Sequence, residues 1–131
     1  MEADLTTWLL ADTALTTLVG TRITWGARVQ LEALPAVRCL LVSPGVTYTH
    51  DGATELASPR VQMDCWGATP ESVLSVKNAL TARMHEIRDG ASGAGGLKGA
   101  FIAADRHSEP EDLGGGNMVF RRIIDFFVWH Q

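Results

Sequence analysis

SPRVQMDCWGATPESVLSVKNALTARM (residues 58–84) decides the fold. Its first half alternates: Val61, Met63 and Cys65 point to one side, while Gln62, Asp64 and Trp66 point to the other. Such a period of two predicts a strand with one face buried. Its second half changes period. Val73, Val76, Leu80, Met84 and Ile87 recur at three- and four-residue spacing, which makes one apolar helical stripe. Thr69 is a natural helix N-cap, and Pro70 sits at the first helical position, where its missing N–H costs nothing. Glu71 lies on the favourable side of the helix dipole, and Asp89-Gly90 is the expected stop. The unit is therefore strand, tight turn and capped helix.

Toward the amino end, residues 4–19 (DLTTWLLADTALTTLV) carry Leu5, Trp8, Leu9, Leu15, Leu18 and Val19 on one stripe. One helix is expected there, capped by Asp4 and closed at Gly20. A short strand at 22–25 and a loop at 26–36 closed by Pro35 follow. VRCLLVS (37–43) is nearly all apolar, as in a strand covered on both faces. VTYTH (46–50) is β-branched and aromatic, so it reads as a strand. DGATELAS (51–58) reads as an exposed connection.

Toward the carboxyl end, residues 90–99 hold five glycines and read as a surface loop. FIAAD (101–105) is a strand, and RHSEPEDLGGGN (106–117) an acidic loop. MVFRRIIDFFVWHQ (118–131) spans about 45 Å if fully extended. It must bend, bulge or run past the edge of its sheet, since ordinary strands have about 5–6 residues. From Ile123 onward both its faces are mostly apolar, which calls for a helix on one side and a second layer or another subunit on the other. The order predicts an α+β fold: a mostly antiparallel sheet with two helices packed on one face. A length of 131 residues fits one domain spanning 1–131.

The charge, 11 basic against 15 acidic residues, is mildly negative, and the arginines are scattered. Sequence-specific nucleic-acid binding is not expected from such a pattern. No apolar run approaches the roughly 20 residues of a membrane span. The acidic start MEADLTT is unlike a signal peptide, so a soluble protein that stays where it is made is expected. Cys39 and Cys65 fall in apolar strands and read as buried free thiols.

Chemical signatures are sparse. His50, His85, His107 and His130 are scattered, with no metal-ligand spacing. No serine stands in a nucleophile elbow, and the Gly-rich segment lacks the ending of a phosphate loop. Asp64 and Asp125 can be a carboxylate pair or can each pair with a strand arginine: Arg38, Arg60, Arg121 or Arg122. No catalytic, cofactor or metal residue is assigned, and no enzyme activity is expected. Two rivals are a small ligand-binding module using a cavity between helices and sheet, and a hydrolase working through Asp64 and a histidine.

The ordered set LTTLVGTRI, LPAVRCLLVS, RVQMDCWGATPESVLSVKNAL and RRIIDFFVWH resembles the tail-completion or tail-terminator family of long-tailed bacteriophages, prophages and gene transfer agents. The similarity runs from about Leu5 to Trp129. Its most telling parts are Val19, Gly20, Arg22 and Ile23, and the strand Val61-Gln62-Met63-Asp64 with Trp66. The resemblance implies a structural protein. It implies a homo-oligomeric ring, typically of six, that caps the head-proximal end of the tail tube. Tube protein on one side and a head-completion or connector protein on the other are the implied partners, with assembly in the host cytoplasm. Another neck subunit of the head–tail connection is the nearest alternative. Segments 46–58 and 106–117 are the expected contact regions. The interface candidates are Arg22, Tyr48, His50, Asp51, Arg60, Asp64, Arg106, His107, Arg121 and Arg122, with Asp125 and Glu71 as further ion-pair mates.

Overall fold

The computed structural model describes residues 1–26, 33–49, 52–114 and 117–131, with backbone alone for 46–49, 52–56, 113–114 and 117. The helices are α1 (Glu2–Leu10), α2 (Thr13–Val19) and α3 (Pro70–His85). The strands are β1 (Ile23–Trp25), β2 (Ala36–Ser43), β3 (Val46–Thr49), β4 (Gly52–Ala57), β5 (Arg60–Gly67), β6 (Leu97–His107), β7 (Glu111–Gly114) and β8 (Asn117–His130). They form a mixed, mostly antiparallel sheet in the order β1-β2-β5-β8-β4-β3, with β6 and β7 also on β8. Only β1–β2 is a parallel pair among these.

Two bent hairpins make most of the sheet. In the first, β2 and β3 run out and β4 and β5 run back, pairing β2 with β5 and β3 with β4. In the second, β6 and β7 run out and β8 returns. β5 and β6 flank β8 on opposite sides, since both pair with its Arg122–Phe127 segment. The first hairpin bends where Gly45 (φ +61°) passes Ser58, whose N–H donates to the Gly45 carbonyl at 3.1 Å.

The decisive stretch folds as its pattern predicts. Val61, Met63 and Cys65 are buried on the helix side of β5. They meet Val76, Leu80 and Met84 of α3 and Ile124, Phe126 and Val128 of β8 in one core. Thr69 caps α3 by accepting from the Ser72 N–H at 3.1 Å, with Pro70 at the start. The helix ends at His85, four residues before the expected stop, although Ile87 still packs in the core.

Several expectations are corrected. The 4–19 helix is two helices, so the sheet carries three among the described residues: Asp12 starts α2 by accepting from Leu15 N–H at 3.2 Å. Asp4 is not the cap of α1; Met1 takes that place, and Asp4 accepts from Gly96 N–H at 3.1 Å instead. Segment 52–57 is a strand rather than a connection, 111–114 breaks the acidic loop with a strand, and Leu97–Gly99 already belong to β6. β2 is covered on both faces only as far as Cys39, since Leu40, Leu41 and Val42 are exposed. β8 resolves its length by running past its neighbour: pairing with β5 ends at Phe120, and residues 117–119 pair with β7 alone.

Candidate interaction surfaces

The helix-free face of the sheet carries charge rather than a second apolar layer. Asp64 is 0 % and Asp125 3 % exposed, yet both stand on this face. Burial of a lone carboxylate is costly, so each needs cations and donors close by. Asp64 pairs with Arg38, lies 3.6 Å from Arg121 Nη1 and accepts from Gln62 Nε2 at 3.0 Å. Asp125 accepts from Arg60 Nε and Nη2 at 3.0 and 2.7 Å, and Arg106 Nη1 lies 3.5 Å away. Arg106 also donates to Gln62 Oε1 at 3.4 Å, which links the two carboxylate clusters. Arg121 lies over the Trp66 ring and Arg60 over Phe127, at 5.0 and 5.6 Å. The guanidinium planes thus roof the carboxylates and lay apolar stems over the sheet. The two aspartates are held by arginines; the geometry is that of ion pairing, not of a proton-sharing dyad.

On the helix face, Arg122 serves a different carboxylate. Its Nε and Nη2 donate to Asp105 at 2.8 and 3.0 Å, and Lys77 of α3 adds a contact at 3.6 Å. The Arg122 bonds hold the Asp105 carboxyl below its ordinary value and raise the Arg122 guanidinium. Beside this pair is a cleft of about 420 Å³ between the start of α3 and the end of β6. Val73, Leu74, Pro110 and Phe120 line it, with His107 and Arg122 at its polar side.

α1 is fastened at both ends. Trp8 Nε1–H donates to the Arg83 carbonyl at 3.0 Å, Arg83 Nε donates to the Trp8 carbonyl at 3.0 Å, and the guanidinium stacks 3.5 Å over the ring. His130 Nε2 lies 3.0 Å from Asp4 Oδ2, and that contact, with the Gly96 N–H, lowers the Asp4 pKa. Burial pushes the Cys39 thiol up to about 12 and Cys65 higher still, so both are inert, free thiols. Among the described residues no group of His, Cys, Asp and Glu is placed to hold a metal ion. No described helix is long and apolar enough to cross a membrane.

The sequence matches the family model described as tail completion protein gp17 over residues 3–131. The chain belongs to the tail completion protein gp17 family. It is a structural tail completion protein, not an enzyme. Among solved structures it is similar to a chain from the virion of a native gene transfer agent particle. The TM-score is 0.64 at 16% identity, covering 100% of this chain and 95% of that one. At that identity the likeness is one of fold. A search of curated proteins finds no match.

The family member's expected contact residues divide as follows. Arg22 is used within the chain: its Nε donates to the Pro35 carbonyl at 2.9 Å and its Nη2 to that of Leu18 at 3.4 Å. Arg60, Asp64, Arg106 and Arg121 come together on the helix-free face. Arg122 and His107 lie together on the other face, beside the cleft. Tyr48 is on β3, with only its backbone described, and His50 and Asp51 lie outside the described residues. Glu71 makes no ion pair among the described residues. Sequence reasoning missed Asp105 and the Trp8–Arg83 clasp. Asp105 meets Lys77 and Arg122 only through the fold, and nothing in its local sequence marks it.

Proposed function

We propose that this chain forms a closed ring, of six copies, on the head-proximal end of the tail tube. The ring ends tube polymerisation and offers a landing surface to head-completion protein. The observation that carries the proposal is the pair of arms at opposite ends of the sheet. The β3–β4 arm leaves beyond the carboxyl end of β8, where Ala57 pairs with His130. The β7–β8 arm leaves beyond Gly67, the last residue of β5, which pairs with Phe120. Each reaches roughly 10–13 Å past the shared sheet over its described residues.

A stack of identical rings exposes a self-complementary end and grows until that end is occupied by something different. A terminator therefore needs two unlike surfaces on opposite ends. The two arms differ in that way: one is TYTHDGATEL, the other carries Glu109, Glu111 and Asp112 before a glycine run. Tyr48, His50 and Asp51 belong to one contact, and Arg106 and His107 stand at the root of the other. The fold shared with a chain of the gene transfer agent virion supports a place in such a particle.

The test is to assemble particles without this protein. Overlong, headless tubes of scattered length are the expected product. Tails of uniform length joined to heads would refute the proposal.

A further inference from the structure

Among the described residues the sheet has two open edges, and both carry exposed apolar side chains at the same level. On one edge β6 is paired inward with β8, and no described strand covers its outer side. Phe101 is 60 % and Ile102 42 % exposed there. On the other edge β1 covers only Val37–Cys39 of β2, so Leu40–Val42 have no described strand beyond them. Leu41 is 40 % and Val42 51 % exposed. An open edge with such side chains is a template for another strand, and natural monomers usually block it with charge, proline or a covering element.

The register puts the two patches in one transverse row. Ile102 is opposite Phe126, Phe126 opposite Val61, and Val61 opposite Leu41. The inner members, Phe126 and Val61, are buried in the core, while the outer members face solvent at either side. The adjacent row runs Phe101, Phe127, Arg60, Ser43. The directions also match. β2 is antiparallel to β5, β5 to β8 and β8 to β6, so β6 and β2 run antiparallel to one another. A second copy placed alongside brings its β2 to the first copy's β6 in the antiparallel sense, the arrangement with the straighter hydrogen bonds.

We infer that copies of this chain join edge to edge, the outer side of β6 in one copy seating the Leu40–Val42 edge of β2 in the next. The occupant is a second copy because the chain carries both halves of the contact at one height with matching strand direction. The contact is heterologous, and such contacts close into rings when the rotation per copy allows. The inference rests on the ring proposed above and deepens it. With the edges lateral, the strands run along the ring axis and the two arms emerge above and below. The core row then continues through every junction as an apolar belt.

The experiment uses the full chain assembled on particles, with Leu41→Cys and Ile102→Cys combined. Within one copy these positions are three strand spacings apart, about 14 Å. That is too far for a disulfide, which needs Cα atoms within about 7 Å. Cys39 and Cys65 are buried and stay out of the reaction. Oxidation is expected to give a ladder of covalent multimers, and neither single variant should give one. Rings visible by electron microscopy but yielding no ladder overturn the edge contact and leave the ring standing. Absence of any ring on the particles overturns both. Should the cysteines impair folding, Ile102→Lys and Leu41→Glu serve instead. Each alone is expected to reduce ring assembly at least tenfold with an unchanged far-ultraviolet circular dichroism spectrum. Both together should restore it, since the new charges meet only between copies. No rescue with intact folding overturns the inference.

Discussion

Gly45→Ala tests the root of the first arm. An alanine Cβ there lies 2.1 Å from the Ser58 carbonyl oxygen, where ordinary contact begins at 3.4 Å. The overlap is 3.4 − 2.1 = 1.3 Å, and it is against backbone, which cannot swing aside. The residue also holds φ +61°, a conformation that costs a side-chain-bearing residue about 1–2 kcal/mol. Opening the hairpin to relieve the overlap breaks the Ser58 N–H to Gly45 carbonyl bond, worth about 1 kcal/mol more. The sum is about 2–3 kcal/mol, or on the order of 10 °C in Tm for a domain of this size. Gly90→Ala is the control. Its φ is +79°, but nothing lies within 4 Å of the added carbon, so only the conformational cost of about 1–2 kcal/mol applies. Thermal unfolding of both variants, with tail completion scored in parallel, gives the comparison. Gly45→Ala is expected to lose more stability and to lose tail completion, while Gly90→Ala retains completion. Equal stability losses would refute the close approach at the bend. Full completion by a destabilised Gly45→Ala would refute the role of the arm.

Asp64→Asn should cost about 2–3 kcal/mol, below the full value for a buried pair because Arg38 and Arg121 are partly solvated; urea denaturation reads it, and a neutral result contradicts the roofed-carboxylate layer. Trp8→Phe removes the indole donor to Arg83 and is expected to cost about 1 kcal/mol, seen as a lower urea midpoint. The pH dependence follows from Asp105, whose carboxyl Arg122 holds below the ordinary 3.8. Its contribution is complete above the unfolded value and is lost as pH falls through the lower folded one. Asp105→Asn should therefore lower stability at pH 7 by no more than about 1 kcal/mol, with the gap closing below about pH 3.8. A gap that widens in acid contradicts this. Cys39 and Cys65 should resist a thiol reagent until the chain unfolds; rapid labelling of the native protein would contradict their burial.

What could be read from the sequence was whatever has a buried face. Val61, Met63 and Cys65 alternate because one side of β5 meets α3, and Thr69-Pro70 announces the helix that covers them. The arms escaped because β4 and β7 lie beyond the core and so carry no period of two; their glycines and acids look the same in a loop as in a solvated hairpin. The break between α1 and α2 was masked by a stripe that continues through it, from Leu9 to Leu15 and Val19. Asp12 was the available signal, an N-cap residue in the middle of the pattern. Leu40–Val42 misled in the other direction. An apolar run reads as a doubly covered strand, and within the isolated chain these residues are exposed. The same ambiguity ran through Asp64 and Asp125: alternation set Asp64 opposite Val61, Met63 and Cys65, but only the fold shows which arginines close over the two carboxylates.

Cryo-electron microscopy of the native particle at the head–tail junction tests termination most directly. Predicted is one closed ring of this chain on the last tube ring, strands along the axis, with one arm touching the tube and the other the head-completion protein. Copies found only at the distal end, or mature particles with none at the junction, would contradict it.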